Sequence, residues 1–303
     1  MNISGRLPRV AVLLAAYNGM NYIAEQVETI LAQKDVDLTI FFSIDPSSDG
    51  TEDWVLELSK NNPKIIILPG GQRFGGAARN FYYLVREVDF SGFDYISFAD
   101  QDDIWLEDKL TQAHRQLQIR ACDAYSSNVL AFWPDGRESI INKAQPQVSH
   151  DYLFEAAGPG CTYVLTVQSA LSMKSFMLKH WDEVNQVGLH DWFFYAWYRA
   201  NGLCWFIDSE WRMRYRQHDG NQVGANKGLT AVLRRISLLR SGWYRTEVIR
   251  IAGLISPSSD RLVHILRVKG KLGLLELIPH IGQLRRRKSD RLFLCVVVLL
   301  GLF

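Results

Sequence analysis

Val10-Ala11-Val12-Leu13-Leu14-Ala15 is a short, unbroken apolar run, closed by Tyr17-Asn18-Gly19. A run of that length without polar alternation reads as a strand buried on both faces. Asn-Gly supplies turn chemistry where it stops. Working outward, Tyr22 to Leu31 puts Ile23, Val27, Ile30 and Leu31 on one helical face. Leu38–Ile44 predicts a second strand, ended by Asp45-Pro46-Ser47-Ser48-Asp49-Gly50, and Thr51 to Leu58 a helix. Ile65–Leu68 predicts a third strand before the glycine-rich stretch Gly70–Gly76, and Ala77 to Val88 a helix. Tyr95–Ala99 predicts a fourth strand, ended by Asp100-Gln101-Asp102-Asp103, and Lys109 to Arg120 a further helix. Strands alternating with helices predict an α/β fold whose open, mainly parallel sheet is flanked by helices. Ligands of such sheets bind outside the carboxyl ends of the strands. Asn18, Asp45, the glycine-rich loop and Asp100 all follow strands, so one edge should gather them. Pro134–His150 reads as a polar loop. After Lys227 the pattern turns to basic amphipathic helices, which divides the chain into a domain over 1–226 and a basic helical tail over 227–303.

With 303 residues, 48% apolar and 12% aromatic, the chain can build one large domain plus an appendage, and global disorder is excluded. The net charge is +2, unevenly spread: Arg261 to Arg291 holds nine Lys/Arg against Glu276 and Asp290. A basic tail on a mildly acidic body points to an anionic surface as partner. Leu292 to Phe303 is apolar apart from glycine. As a helix it would span roughly 18 Å at ~1.5 Å per residue, against the ~30 Å of a bilayer core. It is too short to cross alone. With Arg285–Lys288 and Arg291 before it, it can lie on an anionic leaflet, or it can be a buried terminal helix. The expectation taken forward is a cytoplasmic protein, peripheral on the inner face of the membrane. Cys122, Cys161, Cys204 and Cys295 are scattered, which suggests neither a zinc site nor a disulfide framework and fits a reduced compartment. No nucleic-acid recognition motif accompanies the basic tail, so nucleic acid is not expected as a partner.

The strongest chemical signal is Asp100-Gln101-Asp102-Asp103, three carboxylates within four residues after a buried strand. A hard divalent cation would relieve their repulsion and could bridge to a diphosphate. An acidic turn capping the next helix is the other reading. The glycine-rich loop running into Ala77-Ala78-Arg79-Asn80 could cradle phosphate on backbone N–H groups, with Arg73 or Arg79 beside it, or could simply be a flexible turn. Of the tryptophans, Trp105 and Trp192 are the two expected to line a sugar site; the others read as core.

The ordered series Ala15-Ala16-Tyr17-Asn18-Gly19, Tyr22-Ile23-Ala24-Glu25-Gln26, Asp45-Pro46-Ser47-Ser48-Asp49-Gly50-Thr51, Gly75-Gly76-Ala77-Ala78-Arg79-Asn80-Phe81 and Asp100-Gln101-Asp102-Asp103-Ile104-Trp105 resembles family 2 glycosyltransferases. It is most similar to the rhamnosyltransferase-like branch that builds bacterial surface polysaccharide, over roughly 8–225. The resemblance implies a GT-A fold, a nucleotide-diphosphate sugar donor, with dTDP-L-rhamnose first among candidates, and Mg²⁺ or Mn²⁺. It implies a nucleotide-sugar site at Ala16, Tyr17, Asn18, Asp45, Arg79, Asp100 and Arg216, with Asp45 on the nucleobase and Asp100 toward the ribose or sugar. Asp102 would ligate the metal, joined by His218 of Tyr215-Arg216-Gln217-His218-Asp219-Gly220-Asn221. Where the family usually has two acids at the end of the second strand, this chain has Ile44-Asp45, and Pro46 replaces a small residue. Gly158-Pro159-Gly160-Cys161-Thr162 resembles the floor of the acceptor pocket. Asp191 of His190-Asp191-Trp192 matches the catalytic base, and also fits a helix N-cap. The implied acceptor is a lipopolysaccharide core or other glycolipid. Transfer of another hexose or N-acetylhexosamine, and a catalytically silent nucleotide-sugar binder, are the rival readings.

Overall fold

The computed structural model describes residues 6–218, 241–255, 261–268 and 271–303; the division expected at 226/227 lies outside them. The first half alternates as the sequence predicts: β1 Arg9–Ala16, α1 Ile23–Leu31, β2 Asp37–Ile44, α2 Thr51–Asn61, β3 Ile65–Ile67, α3 Ala77–Glu87 and β4 Tyr95–Ala99. There follow β5 Ile104–Trp105, α4 Lys109–Arg120, β6 Ala124–Phe132, β7 Glu138–Ile141 and β8 Val164–Thr166. The chain continues through α5 Val167–Lys179, α6 Trp181–Val184, α7 His190–Ala200 and the long β9 Trp205–Arg216. The described C-terminal helices are α8 Trp243–Ile255, α9 Arg261–Val268, a 3-10 segment Lys271–His280, α10 Ile281–Leu284 and α11 Lys288–Leu299.

One sheet runs β3-β2-β1-β4-β8-β6-β9-β5, with β7 beside β6. Strands β3, β2, β1 and β4 are parallel, in a register that sets Val12 opposite Ile40 and Ser97. Beyond β4 the sheet is mixed: β8 is antiparallel to β4 and β6, whereas β9 is parallel to β6 and antiparallel to β5. Because successive side chains of a strand point to opposite faces, β1 feeds both cores. Ala11 and Leu13 meet Phe81, Phe98 and Phe194 on one face, while Val12 and Leu14 meet Ile23, Val27 and Leu117 on the other. This is the physical content of the unbroken apolar run.

Two expectations are corrected here. Pro134–His150 is not all loop: Glu138–Ile141 pairs antiparallel with β6 across a turn at Asp135-Gly136, and its side chains alternate between exposed and half-buried. Cys122 and Cys204 are not scattered: they form a disulfide with Cα atoms 4.7 Å apart, joining the start of β6 to the start of β9. Asp123 accepts from Cys204 N at 2.8 Å at the same point.

The helices after residue 241 share the core of the sheet domain. Val248, Ile251, Leu294, Val297, Val298 and Phe303 are buried in the cluster that contains Phe154 and Trp192, and Phe303 stacks on Phe154 with ring centroids 6.0 Å apart. A buried ion cluster fixes them. Arg286 reaches Asp151 at 3.1 Å and Glu155 at 3.3 Å with its guanidinium fully enclosed, and donates to Ala156 O at 2.6 Å. Arg199 and the Tyr195 hydroxyl satisfy the rest of Asp151. Part of the basic excess read from the sequence is therefore interior. The last helix divides its apolar residues: Leu294, Val297 and Val298 face inward, whereas Leu292, Phe293, Val296, Leu299 and Leu300 are 43–69% exposed. No helix among the described residues is long and apolar enough to cross a membrane.

Removing one partner of a buried ion pair strands the other charge, at a cost of about 3–5 kcal/mol. Arg286→Met should therefore lower the urea midpoint by an amount equivalent to about 3–5 kcal/mol. A change within error would mean that the cluster holds nothing.

Candidate active site

The carboxyl ends of β1, β2 and β4 meet at one rim, where side chains rather than ladder bonds stitch the loops together. Gln101 clasps the backbone of Tyr17, accepting from its N–H at 2.8 Å and donating to its carbonyl at 2.9 Å. A Cβ on Gly19 would stand 2.5 Å from Gln101 Oε1, so the clasp requires glycine there. Asn18, held at φ 46°, donates its N–H to Ser47 Oγ and accepts from Ser48 N at 2.8 Å. Gly19 N donates to Thr51 Oγ1, and Met20 N to Asp49. Ala16 closes β1 by accepting from Asp45 N at 2.8 Å. The Asp45 carboxylate is 5% exposed and takes the N–H groups of Phe74 (2.6 Å) and Gly75 (3.2 Å), so it orders the glycine-rich loop. Arg79 is exposed in the first turn of α3. Tyr17 is 48% exposed, a free aromatic face at this rim.

The acidic loop after β4 is crowded. Burial and then the charge of Asp102 push the Asp100 carboxyl up to about 7, with Asp191 adding to the effect. Asp103 is fully buried and also held well above the usual carboxylate range, first by burial and then by Asp102 and Asp100. Arg216, at the end of β9, braces the loop. Its backbone N–H donates to Asp103 at 3.2 Å and its Nε to the Asp102 carbonyl at 2.8 Å. Its guanidinium pairs with Glu25 and lies over the rings of Tyr22 and Phe132 at 4.6 and 4.7 Å. His218 Nε2 stands 2.7 Å from Asp102 Oδ2, with both side chains still partly open to solvent, at 21% and 12%.

Two donor groups here could hold a cation. The deeper one, Asp100, Asp103 and Cys161, has ligand atoms within 4.8 Å of one another. Burial and the two carboxylates push the Cys161 thiol well up, and a protonated thiol is no ligand for a hard ion. The outer pair, Asp102 with His218, joins a carboxylate oxygen to an imidazole and suits a divalent ion such as Mn²⁺ or Mg²⁺.

Asp191 sits in the first turn of α7 and accepts from Trp192 N at 2.7 Å. Burial pushes its carboxyl up to about 6, against that hydrogen bond and the charge of Lys143. The Tyr163 hydroxyl lies 3.1 Å from Gly158 O and 3.2 Å from Asp191 O, tying the Gly158-Pro159-Gly160 stretch to this turn. His190 turns inward against Phe81, and burial lowers it to about 3, so it is neutral. A Cβ on Gly160 would lie 2.4 Å from His190 Nε2, so the floor of this side also requires glycine. The charge of Asp191 is felt at Asp100: base candidate and acidic loop belong to one site.

The model of the family described as Glycosyl transferase family 2 matches residues 11–172. The chain is a family 2 glycosyltransferase. This glycosyltransferase is 43% identical over 291 residues to dTDP-rhamnosyl transferase RfbG of Shigella flexneri, covering 96% of this chain and 100% of the relative. It is 24% identical over 223 residues to the Escherichia coli UDP-Glc:alpha-D-GlcNAc-diphosphoundecaprenol beta-1,3-glucosyltransferase WfgD, covering 70% of this chain and 80% of that one. Among solved structures, S. aureus TarS 1-349 in complex with UDP-GlcNAc superposes with a TM-score of 0.56 at 14% identity, over 91% of this chain and 84% of the other. The mixed sheet thus has the GT-A architecture of glycosyltransferases.

Trp105 and Trp192, expected to line a sugar site, are each 3% exposed and belong to the core. Trp192 stacks on Tyr244 and donates to Tyr152 O, and Trp105 carries Lys109 Nζ 3.3 Å from its ring centroid. Asp103 and Cys161 were read from sequence as members of the acidic block and of the acceptor floor, but two residues that the site depends on were given no role by sequence: Gln101 and Lys143. Gln101 stands inside the acidic block, whereas Lys143 reaches the site only through the tertiary fold.

Raised carboxylates favour protonation, so Asp100, Asp103 and Asp191 destabilise the metal-free enzyme as pH rises from about 4 toward 7. A cation at 100 times its Kd adds about 2.7 kcal/mol. Mn²⁺ should then raise Tm by roughly 5 °C at pH 7.5, by much less at pH 5, and not at all in Asp102→Ala. Equal shifts in the wild type and Asp102→Ala would remove Asp102 from the ion.

Proposed function

We propose that this enzyme transfers L-rhamnose from dTDP-L-rhamnose, with inversion, to a lipopolysaccharide core or lipid-linked glycan at the inner face of the cytoplasmic membrane. The observation that carries the donor is the 43% identity to a dTDP-rhamnosyl transferase along that protein's whole length, acceptor half and C-terminal helices included. The lipid-linked acceptor is supported by the E. coli relative, whose name specifies a diphosphoundecaprenol-linked sugar.

The loop stitched by Ala16, Tyr17 and Asn18 forms one wall of the nucleotide pocket, with the Tyr17 ring available for stacking on a base. Asp45 forms the other wall: each of its carboxylate oxygens keeps a second lone pair after accepting from the glycine-rich loop. Arg79 reaches the diphosphate from α3, and Asp100 faces the sugar. Arg216 acts on the donor through the acidic loop it braces, since its own charge is answered by Glu25. A divalent ion, Mg²⁺ or Mn²⁺, held by Asp102 and His218 would supply positive charge to the departing diphosphate. Asp191 removes the proton of the acceptor hydroxyl as that oxygen attacks the anomeric carbon opposite the diphosphate. A β-linked donor then yields an α-rhamnoside.

Release of nucleoside diphosphate from a panel of nucleotide sugars, with a bacterial glycolipid extract as acceptor, tests the donor. Turnover of dTDP-rhamnose that EDTA abolishes is expected; turnover of another sugar instead would overturn the rhamnose assignment. A base must be deprotonated, so kcat/KM should fall tenfold per pH unit below about 6, the position of Asp191. Asp191→Asn should lose a factor of about 10²–10⁴ in kcat with nucleotide affinity retained. Transfer at the wild-type rate would mean that another group is the base.

The exposed apolar face of α11, with Arg287, Lys288 and Arg291 beside it, supports seating on an anionic leaflet. Burying one large apolar side chain is worth about 1.5–3 kcal/mol. Phe293→Glu with Leu299→Glu should therefore weaken sedimentation with anionic vesicles at least about tenfold, with Tm unchanged. Undiminished vesicle binding would exclude this face.

A further inference from the structure

The cations around the acceptor side are unequally answered. Arg286 is neutralised by Asp151 and Glu155, and Arg285 by Asp290 and Glu155. Lys143 is different: its Nζ has no hydrogen-bond or ion-pair partner among the described residues, although its backbone N–H is fixed at 2.7 Å from Asn128 Oδ1. Arg287 is the second such cation: its guanidinium donates to the uncharged carbonyl of Asn142, the residue before Lys143, and no acid pairs with it among the described residues.

These two cations have a defined place. The Lys143 stem packs on the acceptor floor, where a Cβ on Gly158 would lie 3.7 Å from Lys143 Cγ. The Tyr163 hydroxyl spans from Gly158 O to Asp191 O, so the ammonium stands on the side of the site that holds the candidate base. On the other side, Arg287 immediately precedes α11, and the exposed Leu292, Phe293 and Val296 follow within three turns. Base, unpaired cations and bare apolar face thus succeed one another. The ammonium persists there at a cost: burial lowers Lys143 to about 8, Glu155 draws it back up, and Arg286, Arg285 and Arg287 lower it further. An anion laid beside it would remove that penalty.

We propose that Lys143 and Arg287 form a subsite for the diphosphate of a lipid-linked acceptor, whose sugar hydroxyl lies at Asp191 and whose hydrocarbon chain follows the exposed face of α11. The charges match, because a diphosphate diester carries two negative charges and these are two unanswered positive ones. The inference rests on the proposed acceptor class and not on the donor.

The test is calorimetric binding of decyl diphosphate in neutral detergent to the full-length enzyme, with dTDP and Mn²⁺ saturating so that the donor site is filled. Lys143→Met, which keeps the stem on Gly158, and Arg287→Gln should each weaken binding about tenfold, while Lys143→Arg retains most of it. In transfer assays with glycolipid extract, Lys143→Met should raise the acceptor KM far more than it lowers kcat. Wild-type affinity for decyl diphosphate in both variants would overturn the proposal. So would an equal loss, in Lys143→Met, of binding to anionic vesicles lacking any diphosphate lipid, because Lys143 would then serve bulk headgroups. Turnover of a donor other than dTDP-rhamnose would leave the binding result as it stands, so the two readings fail separately.

Discussion

Four carboxylates, Asp100, Asp102, Asp103 and Asp191, share one rim of this sheet, and their mutual repulsion in a partly dehydrated setting governs what surrounds them. Burial favours the neutral form, and at Asp100 and Asp103 like charges add to it, which is why Asp100, Asp103 and Asp191 are all raised. The fold tolerates the crowding through fixed backbone and through cations held in reserve. Strand β4 is buried between β1 and β8, so the acidic loop springs from a rigid base. Arg216 grips the loop by its backbone carbonyl and through its own N–H. Lys109, lowered by burial to about 7 and resting on Trp105 without a hydrogen-bond partner among the described residues, puts a titratable cation beneath it. On the proposed function, a cation held at such a rim would relieve the repulsion that an incoming diphosphate would add.

The two sides of the site are secured by different physics. The donor side relies on short side-chain-to-backbone bonds between neighbouring loops, as with Gln101 on Tyr17 and Asp45 on Phe74 and Gly75. Such bonds are individually modest, about 0.5–1.5 kcal/mol net, and can be exchanged for bonds to a ligand. The acceptor side relies on enclosed ion pairs that tie Arg286 to Asp151 and Glu155. These tolerate no exchange, since losing one partner strands the other. The proposed nucleotide pocket can therefore adapt around a ligand while the wall beside Asp191 stays put.

Legibility in the sequence followed the same division. The parallel strands could be read because burial on both faces leaves a local signature, as in Val10–Ala15, and the polar residues after them were placed by the strands themselves. What escaped reading was contact between distant segments. Cys122 and Cys204 are 82 residues apart and meet only because β6 and β9 pair in parallel. Arg286 and Asp151 carry no spacing that would announce a pair, so the arginines of 285–287 read as surface charge although Arg286 is interior. The hairpin strand Glu138–Ile141 did have a local sign, Asp135-Gly136, but its polar, half-exposed side chains resemble a loop. Trp105 and Trp192 failed for a simpler reason: aromatic residues serve cores and sugar sites alike, and only burial tells them apart.

The clamp of Arg286 on Asp151 also gives the molecule an order of assembly. Arg286 is synthesised after everything it holds, and 135 residues after Asp151. The members of the proposed nucleotide-binding rim all precede residue 219, whereas the anchor of the wall beside Asp191 is made later. In order of synthesis, the residues of the proposed donor side thus precede the anchor of the proposed acceptor side, which arrives together with the helix bearing the apolar face.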